Sequence, residues 1–167
     1  MKIECTLSAS SLAKAAKQLE KYADSLASKT EKLVQSLGEY GVERALDNYI
    51  TEPLHVDTGN TVNSIQYTHE GTSGTVSAGG AAVWIEFGTG VKRNSGSGHP
   101  KKDDLGMSNW GEYGEGHGSD PNGWYYPGYD GKWHRTFGIE MNPFMYETSQ
   151  EMRRELLRFA KEAFNND

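Results

Sequence analysis

The chain has 167 residues, 35% of them hydrophobic, with 20 glycines, 5 prolines, one cysteine and a formal net charge of -6. That length suits a single domain, 1–167, large enough to bury a core, and the glycine content assigns a sizeable segment to loop. The negative balance excludes a general phosphate-binding surface, which needs clustered Lys and Arg, and a lone Cys5 excludes an intrachain disulfide.

The opening "MKIECTLSAS" has one lysine and no apolar run, so no signal peptide is expected, and no stretch is long enough to span a bilayer. The chain is expected to be soluble where it is made. Its "KIECTL" alternates like a short strand, in which Cys5 reads as a small, semi-buried residue. Leu12, Ala15, Ala16, Leu19, Tyr22, Ala23, Leu26, Leu33 and Leu37 then recur at helical spacing, with lysines and glutamates between them. Ser8, Ser10 and Ser11 offer N-cap hydroxyls, Gly38 and Gly41 offer places to end or bend the helix, and "VERALDNYI" extends helical spacing to Ile50 before Pro53 closes the segment.

From Asp57 the texture changes to short runs rich in Val, Ile, Thr and Tyr between glycines, "TVNSIQYTHE", "TVSA" and "AAVWIEF", which predict a small antiparallel meander with "EGTSG" as a hairpin connection. Residues 88 to about 123 are a long glycine-rich loop with little to bury. Beyond it, Trp124, Tyr125 and Tyr126 face Lys132, Trp133 and His134 across "PGYDG", where Asp130-Gly131 favours a tight turn, so a protruding hairpin is expected. In "NPFMYETSQEMRRELLRFAKEAF", Asn142 can cap, Pro143 suits the first helical position, and Met145, Thr148, Met152, Leu156, Phe159 and Phe164 keep helical spacing. The sum is an α+β domain. A long N-terminal helix and a C-terminal helix pack their stripes on one face of a small antiparallel sheet, with a loop and hairpin insertion over 88–138.

Several constellations invite a chemical reading. His55, His69, His99, His117 and His134, with Asp103, Asp104, Glu112, Glu115 and Asp120, raise a zinc site, but no His-x-x-x-His or Cys pair is present, and His99 and His117 read as solvated loop residues. "NSGSG" at 94–98 matches a nucleophile elbow by letters only and reads as linker. Glu86 between Ile85 and Phe87 is either a buried acid of raised pKa or a residue on the polar face of a core strand. The aromatics Trp110, Tyr113, Trp124, Tyr125, Tyr126, Tyr129 and Trp133 mark a partner-binding surface, for a sugar ring or a protein neighbour, or else stabilise the hairpin through cross-strand pairs.

Three ordered segments, "VDTGNTVNSI" at 56–65, "AAVWIEFGTG" at 81–90 and "NPFMYETSQ" at 142–150, resemble the putative tail-component family of long-tailed bacteriophages, small neck proteins of tail completion and head-to-tail joining. Thr58, Gly59, Ser64, Ile65, Glu86, Phe87, Gly88, Thr89, Pro143, Phe144 and Met145 match the pattern, and "DGKWHRT" is similar to the ending that often precedes its last motif. Val62 and Ala81 or Ala82 depart from it, and the insertion from Val91 to Gly138 is long. The resemblance covers most of the chain. It implies a structural virion protein without catalytic residues, cofactor or metal, forming an oligomeric, hexameric ring between the head–tail connector and the tail-tube proteins. It implies no membrane and no sequence-specific nucleic-acid partner, a genome that passes through an acidic ring, and a place in the virion tail after assembly in the host cytoplasm. On this reading Glu86 closes a core strand, and Gly88 and Gly90 let the chain turn sharply. The competing readings are a carbohydrate- or cell-wall-binding module that uses the aromatic hairpin, with Glu86 as acid if hydrolytic, and a metal-dependent nuclease or toxin built on His99, His117 and His134.

Overall fold

A computed structural model describes residues 4–50, 59–92, 98–105, 120–128 and 130–164. Thr58, Trp110, Tyr113 and Tyr129, with His55, His117, Glu112 and Glu115, lie outside the described residues. The expected α+β class holds, in the element order α1 (Ala9–Ile50), α2 (Asn60–Ser64), β1 (Gln66–Glu70), β2 (Ser73–Ser77), α3 (Ala82–Phe87), a 3-10 turn (Gly90–Lys92), β3 (Trp124–Pro127), β4 (Trp133–Thr136) and α4 (Phe144–Phe164).

Helix α1 is continuous. Ser8 Oγ accepts the Ser11 amide at 3.3 Å, so the predicted serine cap is in place. No strand precedes it among the described residues, and Cys5 is exposed rather than semi-buried, because no neighbouring strand passes there to pair with it. The glycines expected to interrupt the helix instead admit close neighbours. Gly38 is where the Tyr67 ring lies against the helix, and a Cβ on Gly41 would meet Met152 Sδ at 2.8 Å and a Val76 methyl at 2.9 Å.

Helix α4 runs antiparallel to the C-terminal half of α1. Asn48 Nδ2 donates to Thr148 Oγ1 at 3.2 Å, Arg44 Nε pairs with Glu151, the Tyr40 and Phe159 rings pack at a tilt with centroids 5.3 Å apart, and Lys29 Nζ reaches the Phe164 carbonyl at 3.5 Å. The hairpin β1–β2 packs on the same half of α1, pairing Gln66 with Ser77 through to Glu70 with Ser73 across Gly71-Thr72, and Tyr67 Oη donates to the Val34 carbonyl at 3.1 Å. Burial raises the Tyr67 phenol above its ordinary pKa, with Glu39 adding to the shift. The core gathers where the far end of α1 meets α4: Ala45, Tyr49, Ile65, Ala82, Ile85 and Phe144, ringed by Val42, Leu46, Val62, Ala78, Ile139 and Met145.

Four details correct the sequence reading. "AAVWIEF" forms a helix, not the third strand of a meander, since Gly79, Gly80 and Ala81 turn the chain and Ala82 and Ile85, three apart, bury one face of a single helical turn. The run before β1 is also helical over Asn60–Ser64, started by Gly59 in a left-handed conformation, so strand alternation begins only at Gln66. With Ala82–Phe87 helical, the expected meander is reduced to the two-stranded hairpin β1–β2, while β3–β4 forms the separate hairpin expected in the insertion. Finally, the apolar stripes extend past their cover: Leu12, Leu19 and Tyr22 of α1 and Leu156 of α4 are exposed, as α4 and β1–β2 cover only the later part of α1.

Candidate functional site

The segments that carry the family resemblance meet at the start of α4. Glu86 leaves α3 buried, and its carboxylate accepts the backbone amides of Met145 and Tyr146, each at 2.9 Å, in the first turn of α4. These are amides that a helix cannot satisfy internally, and they lie at the positive end of its dipole. A third donor is the His99 ring. Its Nδ1 accepts the Lys101 amide at 3.0 Å, which leaves the proton on Nε2, 3.0 Å from Glu86 Oε1. Glu86 thus receives three donors from parts of the chain distant in sequence, with both carboxylate oxygens engaged.

Asn142, expected to cap α4, serves the other helix. It is buried, and its amide donates to the carbonyls of Asn48 and Tyr49 at 3.3 and 3.4 Å, among the last carbonyls of α1. Its own N–H donates to the Ile85 carbonyl at 2.8 Å. Asn142, two residues before α4, therefore ties the ends of α1 and α3 to the start of α4.

The other matching residues support this joint. Ser64 Oγ donates to the Thr61 carbonyl at 2.6 Å and accepts the Gly79 amide at 2.8 Å, fastening α2 to the turn before α3, while Ile65 enters the core. Phe87 is buried against His99, ring centroids 4.2 Å apart. Gly88 and Gly90 take positive φ, as their expected turning role requires, and Thr89 bridges to Ile139, its amide donating to the Ile139 carbonyl at 2.9 Å and its Oγ1 accepting the Ile139 amide at 3.1 Å. The Pro143 carbonyl accepts the Glu147 amide at 2.9 Å, and Phe144, at 0% exposure, sits edge-on to Tyr49.

Two sequence readings of this region are corrected. Glu86 stands on a helix rather than at the end or on the polar face of a strand, and its partners are backbone amides and a histidine. His99, read as a solvated loop residue, is 4% exposed, enclosed by Phe87 and Tyr146. A local signal for it is faint: Gly98 and Pro100 bracket it, and nothing periodic points inward. A cleft of about 350 Å³ opens beside the joint, lined by Ala82, Val83, Phe87, Leu105, Met145 and Tyr146, with Glu86 and His99 in its wall. Its lining is mostly apolar, and both Glu86 oxygens already hold hydrogen bonds.

His69 lies exposed on β1, and His134 pairs with Asp130 on the second hairpin at 2.9 Å, so the described histidines do not converge. Among the described residues no group of three or more His, Cys, Asp or Glu is arranged to hold a metal ion, and no helix is long and apolar enough to cross a membrane.

The second hairpin closes as its sequence predicts. Gly131 takes φ +73, Asp130 Oδ1 accepts the Lys132 amide at 3.1 Å, and Gly128 N–H donates to the Lys132 carbonyl at 2.8 Å. Its register, Trp124 with Thr136, Tyr125 with Arg135, Tyr126 with His134 and Pro127 with Trp133, divides the aromatics between two faces. Trp124 and Tyr126 share one face with His134, whose ring lies 5.7 Å from that of Tyr126. Tyr125 and Trp133 stand on the other with Arg135, at 62% and 70% exposure. The hairpin-stabilising reading thus fits Tyr126, and the partner-binding reading fits Tyr125 and Trp133.

No protein-family model, no curated protein and no solved structure matches the chain.

Proposed function

We propose that this chain is a structural, non-enzymatic subunit of a tailed-bacteriophage neck, completing or joining the tail at the head–tail interface as an oligomeric ring. The observation that carries this reading is the joint itself: Glu86 of one motif segment caps the helix opened by another, with His99 as a further donor, while Ile65 of the remaining segment packs with Ile85 and Phe144 in the adjoining core, so the carboxylate caps a helix instead of facing a substrate. The matching residues therefore act on architecture, as the resemblance implies. The partners are further copies of the chain, the head–tail connector and the tail-tube protein, with Tyr125 and Trp133 as exposed anchors on the hairpin. The acidic chain suits a wall past which a genome slides without being trapped. Light scattering over a concentration series, with and without tail-tube subunit, tests it. A ring or a stable complex with the tube is expected, and a chain that ignores the tube at every concentration overturns the reading.

A second reading has one observation in its favour. Tyr125 and Trp133 share an exposed face with a nearby guanidinium, which also suits stacking on a sugar ring. Retention on a glycan column that is lost in Trp133→Ala would support it over the neck.

A further inference from the structure

Through residues 9–24 of α1 every side chain but Ser11 and Ala15 is exposed, yet the sequence there is not that of a solvated helix. Leu12, Leu19 and Leu26 recur every seventh residue, and Ala9, Ala16 and Ala23 stand three residues before each of them. A seven-residue apolar repeat keeps one seam facing another helix along its whole length, the signature of a left-handed coiled coil. Helix α4 does not supply that helix, because its Phe164 end lies beside Lys29.

We propose that this stretch pairs, antiparallel, with the same stretch of a second copy of the chain. The seam is complementary to its own reverse. Centred between Lys17 and Gln18, antiparallel pairing sets Ala9 against Leu26, Leu12 against Ala23 and Ala16 against Leu19 of the second copy, and the same pairs again by two-fold symmetry. Each layer then matches one large residue with one small residue. Parallel pairing in register would instead stack alanine on alanine and leave voids between leucine layers. Flanking Ala13, Ala15 and Ala27 let the helices approach closely, while Lys14 and Lys21 lie on the opposite side of the helix, so no lysine is driven against a lysine.

The length agrees as well. Residues 9–26 span about 27 Å of helix, and the pairing ends where α4 begins to cover α1, so the two bodies sit at opposite ends of the seam. An interface of this size is at the small end of those that form stably, so a concentration-dependent dimer is expected. A two-fold dimer is distinct from a ring contact, and the inference stands whether or not the neck reading does.

The test uses the full chain with Cys5→Ser as background. Light scattering of the chain without tail-tube subunit should show a two-chain species that grows with concentration, by itself or alongside a larger ring, and Leu19→Lys should remove the two-chain species with an unchanged helical circular dichroism signal, since Leu19 is already exposed. Mixing Ala16→Cys protein with Leu19→Cys protein under mild oxidation should give a covalent dimer several-fold faster than either alone. A single chain at every concentration, a two-chain species that Leu19→Lys leaves intact, or faster cross-linking of Leu19→Cys by itself would each overturn the proposal.

Discussion

Glu86 shows how one side chain comes to hold an architecture. Removing it as Glu86→Ala leaves the Met145 and Tyr146 amides and the His99 Nε2–H without an acceptor inside a joint where water has little access. An unsatisfied buried donor costs on the order of 1–3 kcal/mol, so with partial relaxation the variant should lose about 3 kcal/mol in urea unfolding. Glu86→Gln keeps an oxygen for one or both amides but faces an NH₂ toward the remaining donors, and should fall between Ala and wild type. Equal stability of all three proteins would show that water replaces the carboxylate, and that the joint is not held through it.

Between elements, the contact of α1 with the first hairpin turns on Gly38. In an open helix Gly→Ala gains about 1 kcal/mol from backbone propensity. Here the new Cβ enters the Tyr67 ring, which cannot easily withdraw, because its hydroxyl is bonded to the Val34 carbonyl and its other side lies on Gly74. Overpacking of this kind costs about 1–3 kcal/mol, so Gly38→Ala should destabilise the protein by up to about 2 kcal/mol net. In a Tyr67→Ala background the same change should become stabilising, and a double-mutant cycle by thermal unfolding reads that reversal. The second hairpin has a different sensitivity. The His134 side chain, then the Lys132 amide, hold the Asp130 carboxyl below its ordinary pKa. A lowered folded-state value means the contribution is full above the ordinary carboxylate range and is lost as pH falls through the lowered value. The Lys132 amide resonance should therefore shift with acid as the turn loosens, and Asp130→Asn should abolish that titration.

At the scale of the whole molecule, the body is assembled at one end of a helix that extends well beyond it. The last half of α1 carries α4 and the first hairpin, while the first half offers a leucine–alanine seam to solvent. The second hairpin presents Tyr125 and Trp133 from a separate part of the fold, joined to the body through the Thr89–Ile139 bridge. A subunit with two spaced apolar surfaces is built to meet partners at both. That is the property the light-scattering series measures.

The sequence by itself determined the features that depend on neighbours in the chain. Helical spacing placed α1 and α4, Gly71 and Asp130-Gly131 placed the hairpin turns, and Ser8 placed a cap, because periodicity, turn chemistry and capping all act within a few residues. The three segments with Glu86, Ser64 and Phe144 were legible as motifs, but not their purpose. Only the tertiary structure decided that "AAVWIEF" coils rather than extends, that Glu86 caps a helix nearly sixty residues away, that Asn142 serves α1 instead of α4, and that His99 is buried. A short apolar run satisfies either period, and a long-range hydrogen bond leaves no local trace; both are settled by what the rest of the chain brings alongside.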